Sequence, residues 1–279
     1  MKLSDLRSAI EAWDEKGAPS RDEVLRVVGA LVVALETGEV RAARPVGDGG
    51  WTVEAWVKTG LLWGFRHAAV VDLPPAGPLA FRDKELFPPR GPSEIGDVRL
   101  VPGGSAIRRG AFVGAGVVLM PPCYVNVGAY VGSGTMIDSH ALVGSCAQVG
   151  RGVHLSAGAQ VGGVLEPPGA MPVVIEEGCF VGALAAVLEG VRVSREAVIG
   201  AGVVLTASTP VFDVPRRRKL ERGEDGILVI PERAVVVPGS RRMSDPWAVG
   251  EGLATDAAVI VKDRDERTDA KAALESALR

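Results

Sequence analysis

Aliphatic side chains recur at every sixth position through the middle of the chain. The first run comprises Ile107, Val113, Leu119, Val125, Val131, Ile137, Val143, Val149, Leu155 and Val161. The next aliphatic residue of the series, Ile175, follows Val161 by two periods plus a slip of two residues. The six-residue interval then resumes at Ile175, Val181, Val187, Val193, Ile199 and Leu205. Amphipathic helices repeat about every 3.6 residues and half-buried strands about every 2, so neither element explains this interval. A six-residue period is typical of a hexapeptide β-helix, in which three short strands form one triangular coil.

The residues between these aliphatic positions fit the narrow interior of such a coil. The position four residues after each aliphatic residue is small or β-branched, as at Val117, Cys123, Ala129, Thr135, Ala141, Ala147, Val153 and Ala159. The position directly after it is usually glycine or serine, as at Gly114, Gly132, Gly144, Gly150, Ser156 and Gly162. A tight corner needs backbone freedom, and each side has room for one branched and one small residue. Because three hexapeptides make one coil, residues 18 apart should stack, in columns such as Val125, Val143 and Val161 or Leu119, Ile137 and Leu155.

The chain before the repeat predicts a helical domain and a linker. Apolar residues at helical spacing fill LRSAIEAW and RDEVLRVVGALVVALETG, with Ser20 as the predicted N-cap and Gly38 as the predicted C-cap. Residues 49–65 continue as a third amphipathic segment that is rich in tryptophan. Residues 72–98 are rich in proline and predict a linker with little regular structure, after which Val101 begins the repeat.

Two interruptions and a tail complete the organisation. Residues 162–174 carry the slip together with prolines, and residues 206–226 break the period again, so we expect a loop to project at each place. The segment ILVIPERAVVVPGS supplies a last coil, and the tail predicts a strand, AAVIVK, followed by a helix. We therefore predict a mainly β chain with an N-terminal helical domain and linker over 1–98, a β-helix over 99–240 and a C-terminal extension over 241–279.

Composition and charge narrow the classes of partner. The 279 residues are 47% hydrophobic but only 5% aromatic, with 36 glycines, so the core must consist mostly of small aliphatic side chains. The formal charge of −3 is spread along the chain, which argues against a nucleic-acid partner. No run of about 18 apolar residues occurs, so we expect no membrane span. The cysteines, Cys123, Cys146 and Cys179, lack zinc-ligand spacing, which fits reduced and packed thiols in a cytoplasmic protein.

The histidines do not predict a metal site. A zinc enzyme of the carbonic anhydrase type, built on the same kind of β-helix, needs a trio of histidine ligands. Here His67 falls in the helical domain, and His140 and His154 are 14 residues apart. We therefore expect no bound metal.

Four motifs in the centre of the chain are long enough to indicate a family. They are GTMID at 134–138, VGSCAQVG at 143–150, GVHLSAG at 152–158 and GGVLEP at 162–167. In these motifs the chain resembles the tetrahydrodipicolinate N-succinyltransferases, although Gly152 and Ala157 replace that family's Asn and Gly. The resemblance covers nearly the whole chain, through LMPPCYVNVGAYVG at 119–132, VPGS at 237–240 and the W-x4-W-x-K pattern at Trp51, Trp56 and Lys58.

The resemblance implies an architecture and an activity. The architecture is a left-handed parallel β-helix of hexapeptide repeats that forms a homotrimer, with active sites between subunits. The activity is transfer of succinyl from succinyl-CoA, the co-substrate, to the amine of the small molecule tetrahydrodipicolinate in its ring-opened form, L-2-amino-6-oxopimelate. This reaction is a cytoplasmic step of lysine and diaminopimelate biosynthesis, and we expect direct transfer within a ternary complex.

Asp138 and Arg99 match two functional residues of that family. The resemblance implies that Asp138 contacts the substrate amine and acts in catalysis, and that Arg99 binds a substrate carboxylate. The chemistry agrees, because a carboxylate can orient or deprotonate an amine and a guanidinium fork suits a dicarboxylate. Asp138 also takes the slot after an aliphatic residue that is usually glycine, so it should point outward from a corner. The alternative interpretation is that Asp138 only caps a turn and that Arg99 is an ordinary surface arginine.

Two departures from the family pattern affect the candidate site. The family's G-A-R-S-E is GALAA at 182–186, so a glutamate proposed there as a second catalytic carboxylate is absent. Glu189 matches a separate family glutamate and is a further candidate. The aspartate is followed by Ser139 and His140 where the family has Thr and Trp. His140 therefore either takes part in proton transfer near neutral pH or fills the tryptophan position as a packing residue.

Three other features each have a functional and a structural interpretation. His154, in VHLS, matches the family at a predicted corner turn, where it is either a structural or groove-lining residue or a catalytic base. The RRRK run at 216–219 either meets the 3′-phosphate of coenzyme A or is a solvated loop. Cys146 is predicted to lie on the interior column of small residues, so we expect no residue to carry the acyl group covalently.

Two rival functions remain open from the sequence. One is a CoA-dependent acyltransferase that acts on another amine. The other is a non-catalytic β-helix that binds a protein partner or a metabolite. Release of free CoA in the presence of defined amines separates these possibilities.

Overall fold

An N-terminal helical domain precedes a three-sided β-helix in the computed structural model, which describes residues 1–13, 19–47, 49–73, 81–266 and 268. The domain contains α1 (Leu3–Glu11), α2 (Arg21–Glu36) and α3 (Ala55–His67). Two antiparallel hairpins flank α3: β1 (Ala43–Pro45) with β2 (Trp51–Val53), and β3 (Val70–Leu73) with β4 (Phe81–Lys84). A short 3-10 helix, Pro92–Glu94, leads into the first coil.

Each coil contributes one short strand to each of three parallel sides. The first side contains β5 (Val98–Leu100), β8 (Val117–Leu119), β11 (Met136–Ile137), β14 (His154–Leu155), β17 (Phe180–Val181) and β20 (Val198–Ile199). The second side contains β6 (Ala106–Ile107), β9 (Tyr124–Val125), β12 (Leu142–Val143), β15 (Gln160–Val161), β18 (Ala186–Val187) and β21 (Val204–Leu205). The third side contains β7 (Phe112–Val113), β10 (Tyr130–Val131), β13 (Gln148–Val149), β16 (Val174–Ile175), β19 (Val191–Val193) and β24 (Leu228–Ile230).

A long hairpin extends the first side at the C-terminal end. Its strands are β25 (Ala234–Arg242) and β26 (Ala254–Asp263), which pair antiparallel on either side of the short helix α4 (Pro246–Gly250). The strands β22 (Val211–Asp213) and β23 (Arg218–Lys219) add to the far side of β26. The strand predicted in the tail is therefore present as β26, whereas most of the helix predicted after it lies outside the described residues.

Neighbouring coils stack in register, as the six-residue period predicts. The strand pairing places Val125, Val143 and Val161 in one column and Leu119, Ile137 and Leu155 in another. All six side chains are completely buried. Burial of one side chain of this size contributes about 1.5–3 kcal/mol, so the columns supply most of the driving force for the fold. The predicted class, a left-handed parallel β-helix with a helical N-terminal domain, is confirmed.

Glycine follows many of the inward aliphatic residues because the next coil lies directly against that position. A Cβ atom at Gly144 would lie 2.2 Å from the backbone nitrogen of Gly163. A Cβ atom at Gly132 would lie 2.6 Å from the backbone nitrogen of Arg151. A side chain at either position would push two coils apart and break their ladder of hydrogen bonds. Asp138 takes the equivalent slot in a turn where its side chain can leave the stack.

Two predictions about the chain before the repeat are wrong in detail. Residues 49–65 are not one helix, because Trp51–Val53 forms a strand against Ala43–Pro45 before α3 begins. Aromatic and β-branched side chains suit such a pair better than a helix start. The segment 72–98 is more regular than a linker, since it contains parts of both β3 and β5 as well as β4 and the 3-10 helix. Residues 74–80 of that segment lie outside the described part of the chain.

The first coil also begins one residue earlier than predicted. Leu100, and not Val101, pairs with Leu119 and packs against the core. Val101 instead donates its backbone N–H to the carbonyl of Leu119 at 3.1 Å. Because 19 residues separate Leu100 from Leu119, the first coil holds one residue more than the period predicts.

The helical domain packs on the turns that follow the second side. We call these turns, residues 108–111, 126–129, 144–147 and 188–190, the second edge. At the end of α2, the Glu36 carboxylate accepts hydrogen bonds from the Arg109 guanidinium at 2.8 Å and from the Gly110 N–H at 2.9 Å. Val127 and Cys146 of this edge are completely buried in the core of the helical domain. The two domains therefore share apolar surface as well as an ion pair.

A buried lysine ties the interrupted coil to the helical domain. The Lys58 side chain in α3 is fully buried, and its ammonium donates to the carbonyls of Pro167 at 3.0 Å and Ala170 at 2.8 Å. Burial lowers the pKa of Lys58 from its ordinary value. The loop at 162–174 does leave the coil, as predicted, but Lys58 holds it against α3.

We expect Lys58→Met to lower the free energy of unfolding by about 1–3 kcal/mol, because it removes the buried donor of the hydrogen bonds to Pro167 and Ala170. Urea unfolding followed by circular dichroism measures the change. Lys219→Met, on the exposed strand β23, is the matched control and should stay within about 0.5 kcal/mol of the parent protein. Equal stability of the two variants would show that the lysine does not anchor the loop.

Candidate active site

The turns that follow the strands of the first side form one continuous edge of the prism. This first edge consists of residues 120–123, 138–141, 156–159, 182–185 and 200–203. Asp138 opens the second of these turns, and its backbone N–H donates to the carbonyl of Leu155 in the next coil at 2.9 Å. The half-buried side chain points out of the stack, as predicted, and its Oδ1 accepts the Ser139 N–H at 2.7 Å. No donor within the described residues lies at Oδ2, so the carboxylate both caps the turn and keeps one oxygen available.

Arg99 lies on the first side, close to the first edge. It is exposed and pairs with Val118, which in turn pairs with Met136, two residues before Asp138. Two steps between neighbouring strands correspond to about 10 Å, a span that a dicarboxylate of pimelate length can bridge with help from the arginine side chain. The fold therefore places Arg99 and Asp138 on the same surface of one prism.

His140 is the third residue of the turn that Asp138 opens. Its φ of 63° lies in the left-handed region, which is unusual for a residue with a side chain. The backbone N–H donates to the carbonyl of Pro122 in the coil below at 2.6 Å. The side chain is exposed. Asp138 and His140 are thus brought to the same turn, with both side chains directed away from the core.

His154 does not lie at a corner turn, so that prediction is wrong. It stands in β14, between the inward residues Val153 and Leu155, and its ring lies on the outer face of the first side. The imidazole stacks on Phe180 of the next coil, with ring centroids 4.8 Å apart and planes inclined by 10°. Only 7% of the residue is exposed. These contacts favour the structural interpretation of His154 over a role as a base.

Glu189 lies away from the other candidates. It belongs to the second edge and lines a cavity of about 710 Å³ together with Trp51, Glu166 and Asp225. Its backbone carbonyl accepts the Ala207 N–H at 3.2 Å. The whole second side separates it from Asp138 within one chain, so the fold does not bring the two carboxylates together.

The segment GALAA at 182–186, which differs from the family pattern, lies where the first edge meets the second side. Leu184 has a φ of 58° and is 74% exposed, so an apolar side chain stands on the surface of the edge. Ala186 faces outward on the second side, directly beside Gln160. The Gln160 amide donates to the carbonyls of Gly158 at 3.0 Å and His140 at 3.3 Å. This surface is therefore neutral, and Gln160 is a neighbour of His140 that sequence reasoning missed.

The cysteines are packing residues, although one of them is not where the sequence predicts. Cys146 lies at the second edge with a φ of 64°, and its sulfur faces the helical domain, while Ala147 takes the interior position. Burial raises the pKa of Cys146 to about 12, and burial raises that of Cys179 to about 12 as well. Cys123 is also buried, with its pKa raised by burial. None of these thiols is suited to carry an acyl group.

Two arginines of the basic run at 216–219 form ion pairs within the chain. Arg216 and Arg218 both reach Asp213, whose side chain is completely buried, at 3.4 and 3.2 Å. Arg216 also pairs with Asp263 of β26 at 3.0 Å. These arginines therefore fasten the β22–β23 hairpin to the C-terminal strand, and a contact with coenzyme A at this run stays a prediction.

A second crevice, which sequence reasoning missed, lies between the helical domain and the third side. Its volume is about 670 Å³, and its lining includes Arg41, Trp51, Arg151 and Arg195. The Arg41 guanidinium stacks on Tyr130, 3.3 Å from the ring centroid, and donates to Gln148 at 3.1 Å. The only sequence signal for this crevice is the aromatic and basic composition of the segment from 41 to 51. The crevice does not include any of the predicted site residues.

Neither a metal site nor a membrane-spanning helix is found in the described part of the chain. No three His, Cys, Asp or Glu side chains converge there in a way that could hold a metal ion. Likewise, no described helix is both long enough and apolar enough to cross a bilayer.

Two family profiles match the chain. One, described as the tetrahydrodipicolinate N-succinyltransferase N-terminal domain, matches residues 5–67, which cover α1 to α3. The other, described as a hexapeptide repeat of succinyl-transferase, matches residues 172–207. The two profiles therefore cover both the helical domain and the coils that follow the loop at 162–174.

Curated relatives match over nearly the full length. The chain is 43% identical over 283 residues to the 2,3,4,5-tetrahydropyridine-2,6-dicarboxylate N-succinyltransferase of Rhodopseudomonas palustris, covering 99% of this chain and 97% of the relative. It is 42% identical over 282 residues to the enzyme of the same name from Bradyrhizobium diazoefficiens, covering 99% and 97%. A solved structure from Campylobacter jejuni, titled as a 2,3,4,5-tetrahydropyridine-2-carboxylate N-succinyltransferase, is 17% identical over 84% of this chain and 62% of that one, with a TM-score of 0.43.

Proposed function

The chain belongs to the family of 2,3,4,5-tetrahydropyridine-2,6-dicarboxylate N-succinyltransferases, and on that premise we propose that it moves succinyl from succinyl-CoA to the amine of L-2-amino-6-oxopimelate. It is an acyltransferase, and this substrate is the ring-opened form of tetrahydrodipicolinate in lysine and diaminopimelate biosynthesis. The observation that carries the proposal is 43% identity across 99% of this chain and 97% of the relative, a span that includes every coil of the candidate site.

Asp138 supplies the carboxylate that orients the amine. Attack on a thioester requires a neutral amine whose lone pair faces the carbonyl carbon. The Ser139 N–H fixes Oδ1 of Asp138, which leaves Oδ2 to accept a hydrogen bond from the amine. As the C–N bond forms, the amine gives up one proton, and as the C–S bond breaks, that proton ends on the sulfur of coenzyme A, which leaves as the free thiol. No covalent enzyme intermediate is needed, which agrees with the burial of the described thiols.

Arg99 binds the substrate carboxylate that is distant from the reacting amine. Its exposed guanidinium stands on the same surface as Asp138 and has no partner carboxylate among the described residues. A fork of two N–H donors recognises a carboxylate with both distance and direction. The pair therefore fixes one end of the substrate while the amine is held at the other.

The active enzyme is a cytoplasmic homotrimer with its sites between neighbouring prisms. Two of the larger cavities of the single chain are at the second edge and beside the third side, away from Asp138. Within one chain, Asp138 and His140 stand on an open edge. A thioester reaction needs water excluded, so a second copy packed against the first edge would complete the site. The small residues of that edge, such as Ala157, Gly158 and Ala183, would let the arm of coenzyme A lie close to the backbone.

The second candidate is a CoA-dependent acyltransferase that acts on a different amine. The observation that favours it is the neutral surface made by Leu184, Ala186 and Gln160, where the family pattern has an arginine and a glutamate. A non-catalytic β-helix that binds a partner would contradict both of these candidates.

Release of free CoA distinguishes the three functions. We expect thiol release from succinyl-CoA that depends on L-2-amino-6-oxopimelate, and release from acetyl-CoA that is at least about 10-fold slower. Ellman's reagent measures the thiol, with the enzyme alone as the blank. Release with other amines but not with this one would support the second candidate, and no release with any amine would contradict an enzymatic role.

We expect Asp138→Asn to fold normally and to lose about 100- to 10,000-fold in kcat, because the neutral amide lacks the charge with which the carboxylate holds and orients the amine. Circular dichroism and size-exclusion chromatography check the fold and assembly. Asp256→Asn, an exposed position in β26, is the matched control and should keep the parent kcat. Near-normal turnover by Asp138→Asn would remove this residue from the mechanism.

A further inference from the structure

The first edge holds an unusual pair of ionisable side chains. Its five turns, 120–123, 138–141, 156–159, 182–185 and 200–203, consist otherwise of Met, Pro, Cys, Ser, Ala, Gly, Leu and Val. The only other titratable group among them is the buried thiol of Cys123. Asp138 and His140 therefore carry all the acid–base chemistry that this edge can offer to a ligand.

The backbone of His140 is fixed while its ring is not. The N–H donates to the carbonyl of Pro122 at 2.6 Å, and the carbonyl accepts the Gln160 amide at 3.3 Å. These bonds hold the residue at a φ of 63°, a conformation that glycine adopts more readily. The imidazole itself forms no hydrogen bond with the residues that the structure describes. An exposed side chain in a strained turn, without a hydrogen bond to the described residues, is available for a ligand.

The surface next to His140 carries no charged side chain. The equivalent position in the next coil is Gly158, which has no side chain, and the one after that is Leu184. The side chain of Leu184 reaches back over Gly158, because a Cβ atom on Gly158 would lie 2.8 Å from Leu184 Cδ2. The Leu184 side chain therefore covers Gly158 and forms an apolar surface next to the imidazole, directly above the turn that carries Asp138.

The adjoining second side offers no alternative acid or base of the required strength. Its outward residues are Ala106, Tyr124, Leu142, Gln160, Ala186 and Val204. A carboxylate ordinarily titrates near 4 and is a weak acceptor for an amine proton, whereas an imidazole titrates close to neutral pH. The edge thus contains one group suited to hold an amine and one suited to take its proton.

We propose that His140 is a second catalytic residue, which accepts the proton of the attacking amine while Asp138 orients it. This inference rests on the proposed function. The amine nitrogen attacks the thioester carbonyl, and the C–N bond forms as one N–H proton passes to the imidazole. The tetrahedral intermediate then expels coenzyme A by breaking the C–S bond, and the imidazolium returns the proton to the thiolate. The titratable side chains around His140 are Asp138 in its own turn and the exposed Tyr124 in the coil below, whereas the Cys123 thiol lies in the core and the coil above adds no charge.

His140→Gly is the most direct test, because glycine suits the left-handed turn and leaves the fold intact. We expect kcat to fall by at least about 100-fold, with the KM for succinyl-CoA changed less than about threefold, and we expect added imidazole to restore activity in a saturable way. The rise of kcat/KM with pH near neutrality, which a histidine base would produce, should disappear in the variant. Glu196→Gly, at a left-handed position in a turn away from the first edge, is the matched control and should keep the parent pH profile.

His140→Trp separates catalysis from packing. A packing role predicts that tryptophan supports normal turnover, whereas a proton-transfer role predicts the same loss as in His140→Gly. If His140→Gly keeps turnover within about threefold with an unchanged pH profile, or if His140→Trp is fully active, the inference is wrong while the proposed function stands. Absence of CoA release by the parent enzyme would instead be a failure of the proposed function.

Discussion

The register between stacked coils is the constraint on which the rest of the structure depends. Each inward aliphatic residue lies against its equivalent in the coils above and below, and the coils approach so closely that Gly144 could not carry a Cβ atom. Because every coil must repeat this arrangement, the three sides are flat and carry little but short strands. Functional side chains can therefore leave the stack only at the turns and at outward strand positions. The proposed site residues Asp138 and His140 lie in one such turn, and Arg99 lies at an outward position of the first side.

The same constraint explains how much of the fold could be predicted from the sequence. The columns through Val143 and Ile137 follow directly from residues 18 apart, and strand pairing confirms them. The errors lie where the periodic signal is absent. The strand at Trp51–Val53 depends on a partner segment, Ala43–Pro45, that no local pattern indicates. The start of the first coil at Leu100 depends on one extra residue before the repeat becomes regular.

The candidate site was predictable only in part, because the interruption of the period at 162–174 changes which residues are neighbours across the coils. Asp138 and His140 are two residues apart, so their shared turn could be anticipated from the sequence. Gln160 and Ala186 are neighbours across the second side although 26 residues separate them, because the loop at 162–174 adds eight residues to that coil. That insertion hides the neutral surface beside His140. The same insertion hides from the sequence that Glu189 lies on the second edge. The sequence alone therefore could not show that Glu189 and Asp138 lie on different edges of the prism.

The central claim is that chemistry takes place on the first edge, between Asp138 and His140. A crystal structure with 2-aminopimelate, an analogue that keeps the amine of the acceptor, and with coenzyme A, which carries no acyl group to transfer, tests it most directly. The account predicts that the analogue's amine lies within about 3 Å of Asp138 Oδ2, close to the His140 imidazole, with the pantetheine arm along Gly158 and a neighbouring subunit covering both. An analogue bound instead in the cavity beside Glu189, or in the crevice at Arg41, would contradict it.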